Sequence, residues 1–216
     1  MKTLSIEQAC NFVRTALDEL QNAGGGAMLA SPDSLDIYMH VERTLEQAAV
    51  RIHLAAPAYM LDGVEGKLGV DFDAKKDGDV AVVTMKNKTV RVASVQMADS
   101  LMPVAELVGE DSAEGRMQLD KHIQGTPDAP VAVIQKRKAG EWLPVVKYYT
   151  TEVPRIEDNG VALEYVPYPE LEDDAVQVCP QLEYAVLNEL AAMVMENLSM
   201  ADKAAVYRTR ATEYLK

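Results

Sequence analysis

The chain has 216 residues, 48% of them apolar and 25% charged, the make-up of a folded protein with one good-sized core or two small ones. Its net charge of −13 excludes a general nucleic-acid binder, which needs Lys and Arg to displace counterions from phosphates. Two cysteines, at positions 10 and 179, exclude a disulfide framework, and no run approaches the roughly 18 apolar residues of a membrane span.

The first predicted element is a helix from Ser5 to Asn22, with Ser5 as its cap and Ile6, Ala9, Cys10, Val13, Leu17 and Leu20 on one stripe. Its acidic residues break the apolar core that a secretory signal requires, so a reducing cytoplasm is the expected place of synthesis. Cys10 on that stripe reads as a buried structural thiol. Gly24-Gly25-Gly26 reads as a link. Ser31-Pro32 opens a second, longer helix to about Ala56, with Tyr38, Val41, Leu45, Ala48, Ile52 and Ala55 on its buried face.

From Leu61 to Val178 the texture changes to β-branched runs. Residues 79–84 and 89–95 are expected to form a hairpin through Lys86-Asn87-Lys88. Residues 112–124 fit a short helix. Residues 130–135 and 142–149 fit a second hairpin, its tip carrying the one dense basic cluster, Lys136-Arg137-Lys138. Residues 161–166 and 175–178 are further strands, flanking an acidic loop with Glu170, Glu172, Asp173 and Asp174.

The last 37 residues read as two tightly joined helices. Pro180 suits a first helical turn, and Leu182, Ala185, Val186, Leu190, Met193 and Val194 make one apolar face. Ser199 to Asp202 has the form of a capping box for the second helix, whose apolar face is Ala204, Tyr207, Ala211, Tyr214 and Leu215. Such a hairpin must dock on earlier helices or on another subunit. The whole therefore reads as an α+β protein. Residues 1–60 and 179–216 supply helix pairs of a four-helix body, and residues 61–178 form an inserted strand-rich subdomain.

Chemistry-bearing patterns are scarce. His40, His53 and His122 fall in no zinc-ligand spacing, and His40 and His53 stand about 20 Å apart along one helix. The glycine run has neither a preceding strand nor a following Lys-Ser/Thr, so it is no phosphate loop. The acidic loop lacks the glycine-bearing pattern of a calcium site and reads as a solvated turn. No catalytic residue, cofactor or metal site is expected.

Three stretches carry a family resemblance: the long helix ending in RIHLAAPAYML, the insert TVRVASVQMADSLMPVAELVGEDSAEGRMQLDKHIQGTPDAPVAVI, and the closing hairpin ELAAMVMENLSMADKAAVYRTRATEYL. Their order and rhythm resemble the tail-adaptor proteins of tailed, especially short-tailed, bacteriophages. The chain departs from that family at Ala98 and Asp99, where a Trp and a basic or polar strand are usual. The resemblance implies a head–tail connector, a homo-oligomeric ring, commonly of twelve subunits, between portal and tail around the DNA passage. It implies a virion protein, assembled in the host cytoplasm, past which DNA moves without sequence-specific binding. On that reading Tyr207, Arg208, Arg210 and Tyr214 contact the portal, and Lys136, Arg137 and Lys138 contact the next tail protein. The alternatives are another virion or bacterial assembly protein, or a small cytoplasmic enzyme or ligand-binding protein.

Overall fold

In this computed structural model, which describes residues 1–23, 37–98, 100–135, 142–150 and 160–216, Ser5 starts the first helix through a reciprocal cap. Its hydroxyl accepts the Gln8 N–H at 3.2 Å, and the Gln8 side chain accepts the Ser5 N–H at 3.2 Å. Helix α1 (Ile6–Ala23) buries Ile6, Ala9, Cys10, Val13 and Leu17, as their spacing requires. Helix α2 (Ile37–Ala55) buries Val41, Leu45, Ala48 and Ile52. Tyr38 and Ala55, expected on that face, are exposed, and Ile37, Ala49 and Ala56 are buried instead. The Gly24–Gly26 link and the Ser31-Pro32 start lie outside the described residues.

The chain is α+β and divides into two compact units. The first joins Met1–Asp62 to Pro169–Lys216; the second is Gly63–Tyr168. The sequence boundary at residue 178 is thereby moved to 168/169. The reason is a strand that periodicity did not reveal. Residues Lys2–Ser5 form β1, antiparallel to β10 (Ala175–Val178), so β10 belongs with the helices. A two-residue turn, Asp173-Asp174, leads into β10 with both residues at positive φ.

A single 3-10 turn at Pro180–Leu182 leads into α4 (Glu183–Asn197), which packs on α1, α2 and α5 (Ala201–Glu213). Every residue from Ala185 to Met195 is buried, so α4 is a central helix, enclosed on all sides rather than along one face. The closing hairpin thus docks at home, on the N-terminal helices. Its turn differs from expectation. Ser199 is no N-cap; it sits at φ +60°, donates its N–H to the Glu196 carbonyl at 2.9 Å, and is followed by Met200 N–H to the Met195 carbonyl at 2.8 Å. That is the Schellman ending of α4, with Ser where glycine is usual.

The second unit holds two sheets. One has the order β2 (Val64–Glu65), β9 (Val161–Pro167), β5 (Thr89–Met97). The other runs β3 (Phe72–Asp77), β4 (Val80–Met85), β8 (Val145–Tyr149), β7 (Val131–Ile134), β6 (Val108–Gly109). Ala81, Val83 and Met85 of β4 share one core with Val92, Val95 and Met97 of β5 and with Leu163 and Tyr165 of β9. The two sheets therefore pack face to face.

The β7–β8 pairing matches the expected second hairpin, although its tip, residues 136–141, is outside the described residues. The expected β4–β5 hairpin does not form. Lys86-Asn87-Lys88 carries no turn glycine, and the chain crosses there from one sheet to the other; Lys86 donates to the Gly69 carbonyl and Asn87 to Asp71. Strand β4 pairs instead with β3, through a turn in which Gly78 adopts φ +64°. The predicted helix over 112–124 shortens to α3 (Ala113–Met117), capped by Ser112. Beyond it the Gln118 side chain turns inward and accepts the Gly125 N–H at 2.8 Å, and the chain continues in single turns.

Candidate interaction surface

Helix α5 has two sides that differ in kind. On one, Arg208 forms a bidentate pair with Glu196, at 2.6 and 3.0 Å, and reaches Glu189 at 3.4 Å. Arg51 of α2 donates to the other Glu189 oxygen at 3.1 Å. Glu189 is the charged residue inside the apolar run of α4, and its side chain is almost fully buried. Two guanidinium groups are therefore gathered around it, joining α2, α4 and α5. The Arg208 hydrogen bonds hold Glu196 below the usual carboxylate range, and Glu196 in turn raises Arg208.

On the other side lies a cleft of about 510 Å3 between α1, α4 and α5. Phe12 and Thr15 line it from α1, Tyr184 and Asn188 from α4, and Tyr207, Arg210 and Tyr214 from the end of the chain. Tyr184 and Tyr214 stack with ring centres 5.8 Å apart at 21°. The Arg210 guanidinium lies over the Tyr207 ring at 4.9 Å. Asn188 is buried, and its amide donates to the Tyr184 carbonyl at 2.7 Å.

Four predicted contact residues thus separate by role. Arg210 and the half-exposed Tyr214 open onto the cleft. Tyr207 is only 2% exposed, and its hydroxyl donates to the Ala16 carbonyl at 3.3 Å, pinning α5 to α1. Arg208 is bound to this chain's own acids. Lys136, Arg137 and Lys138 lie outside the described residues. The sequence reading missed Phe12, Tyr184 and Glu189. Two carried a signal: Phe12 is an aromatic beside, not on, the apolar stripe, and Glu189 is a lone charge within a buried helix.

The histidines occupy separate places. His40 is half-buried on α2 and His122 is exposed in a turn. His53 is fully buried; its Nε2 accepts the Cys179 N–H at 3.1 Å, so Nδ1 carries the proton and donates to the Ala49 carbonyl at 2.7 Å. Burial lowers its pKa, which keeps the ring neutral. Both cysteines are buried, and burial pushes the Cys179 thiol up. Among the described residues no three His, Cys, Asp or Glu side chains gather as a metal site, and no helix is long and apolar enough to cross a membrane. The sequence matches no protein-family model and no curated protein.

Proposed function

We propose that the chain is a structural subunit of a tail-adaptor ring, placed between portal and tail of a tailed phage and surrounding the DNA passage. Helix pairs from the two ends of the chain would form its four-helix body, with the strand-rich unit as an insert. The observation that carries this reading is the element order. Helices α1 and α2 come first, the continuous unit Gly63–Tyr168 follows, and α4 and α5 return to pack on the first pair. That is the order of the family the sequence resembles.

The aromatic cleft gives the helical unit a surface for assembly, since Tyr and Arg dominate the energetics of such contacts. On this reading Arg210 and Tyr214 meet the portal, while Tyr207 and Arg208 hold the helix that presents them. The basic tip Lys136–Lys138 engages the downstream tail protein. A net charge of −13 suits a wall that DNA passes without adhering. The subunit works at the head–tail junction of the virion and assembles in the host cytoplasm.

Electron microscopy and mass photometry of the purified protein, alone and with the portal protein, test this. A closed ring, of twelve copies as the family implies, is the expected result. A particle that stays monomeric with portal present ends the proposal. Detection in purified virions away from the head–tail junction would move the chain to another structural role.

A further inference from the structure

His53 stands at a joint of the helical unit. It lies in the last turn of α2, and Cys179 follows β10 on the way into α4. Asp62 is the last residue before the chain enters the strand-rich unit at Gly63. Hydrogen bonds link the three. The His53 Nε2 accepts the Cys179 N–H at 3.1 Å, and the Cys179 Sγ accepts the Asp62 N–H at 3.4 Å. That sulfur also lies 3.7 Å from the Asp62 carbonyl oxygen and 3.9 Å from the Met1 sulfur, the acceptors within reach of its own proton.

This joint fits a neutral imidazole. His53 and Cys179 are both fully buried. With the Nδ1 proton on the Ala49 carbonyl, a second proton can go only to Nε2, where it points at the Cys179 N–H. An acceptor then becomes a donor facing a donor, and a charge appears in a buried place. The surrounding ionisable groups do not offset it. Strand β10 contributes none, and α1 contributes the buried Cys10 thiol. On α4, Glu183 is paired with Lys2, and Glu189 with Arg51 of α2 and with Arg208. Asp62 lies 3.6 Å from the Met1 amine. Burial and the Ala49 bond govern the His53 proton, with no charged group among the causes.

We infer that His53 is an acid-sensitive latch: protonation of its ring breaks the bond to Cys179 and frees the Cys179–Asp62 contact while the rest of the helical unit stays folded. The backbone around Cys179 allows a local opening. The β1–β10 ladder ends with the Lys2–Val178 pair, and α4 begins at Glu183. Between them stands a single turn, closed by the Leu182 N–H on the Cys179 carbonyl at 2.9 Å. Releasing Cys179 from His53 therefore breaks no ladder bond and no bond of α4, and the bonds to sulfur that go with it are weak ones. Such openings require less free energy than unfolding of the core. Asp62 is set loose at the point where the chain leaves the helical unit. The latch is independent of the ring reading.

The two buried thiols test this in the wild-type chain. Each is labelled with a disulfide reagent active in acid and read by peptide mass spectrometry, its rate divided by that of the denaturant-unfolded chain at the same pH. The open form binds a proton more readily than the closed one. Relative labelling of Cys179 should therefore be flat above pH 6.5 and rise below it by about tenfold per pH unit, until the closed form titrates too. Cys10, on the buried stripe of α1, should stay protected across that range. His53→Gln keeps a hydrogen-bonding side chain that takes up no proton, and should abolish the rise. Imidazole NMR signals of His53 in the wild type should change over the same pH range. Cys179 labelling that does not respond to pH overturns the latch. So does loss of protection at Cys10 and Cys179 together, which would mean that acid unfolds the unit as a whole. A rise that persists in folded His53→Gln, or a His53 ring that stays neutral while Cys179 opens, overturns it as well.

Discussion

The two sides of α5 solve opposite problems with similar residue types. On the Arg208 side, guanidinium groups from two helices are matched to acids of this chain, and Glu189 sits buried between them. On the Arg210 side, a guanidinium and stacked aromatics stand at an open cleft. An arginine two residues along a helix projects in a direction about 200° away, so one short segment binds this chain's own acids on one side and lines an open cleft on the other. Interface enrichment scales see only Tyr and Arg, and cannot distinguish these uses.

Substitutions separate the two sides. Tyr207→Ala should do the greatest harm, removing about 3–5 kcal/mol by emptying the buried seat between α5 and α1; loss of helical circular dichroism on heating would measure it. Arg208→Ala should cost about 1–2 kcal/mol, read by denaturant unfolding. It leaves Glu189 with Arg51 alone, and the partial exposure of Arg208 limits the loss.

Acid tests the helical unit away from α5, at His53 of α2. The folded-state pKa of His53 is lowered from 6.5, so between that value and its folded pKa the unfolded chain binds more protons. Stability from this residue is present above pH 6.5 and falls as pH drops through that window. A His53→Gln variant should be less stable at pH 7 yet show a flatter decline from pH 7 to pH 5 in thermal melts.

The smaller effects sharpen the contrast. Ser199→Gly should add about 0.5–1 kcal/mol by relieving a non-glycine residue at positive φ, without touching either side of α5. Tyr214→Ala should change stability by no more than about 0.5 kcal/mol while weakening assembly measured by light scattering. If Tyr214→Ala unfolds the protein, the open side is structural after all.

Local periodicity made the helices legible. The stripe of α1 and most of the face of α2 are written in residues three or four apart, within reach of one window, and Pro180 marks the turn that leads into α4. The strands were harder because their partners are remote: β5 pairs with β9 across some seventy residues, and β1 with β10 across more than 165. Strand β3 was hidden by its composition, since Lys75, Lys76 and Asp77 lie exposed on a sheet edge that those charges protect from further pairing. The cleft was half visible. Tyr214 and Arg210 could be named from the terminal helix, but Phe12 and Tyr184 join them only through packing.

The division of the chain also sets a timetable. Gly63–Tyr168 is continuous, so it has all its strands once they leave the ribosome, while the unit around α4 is split by it. The apolar faces of α1 and α2 are synthesised early and must wait for about 120 residues before α4 exists to cover them. At about 5–20 residues per second this is on the order of ten seconds. Through that interval the nascent chain carries helices that α4 has not yet covered, a natural target for chaperones, and any assembly surface that includes α4 and α5 comes into being only once both have been made.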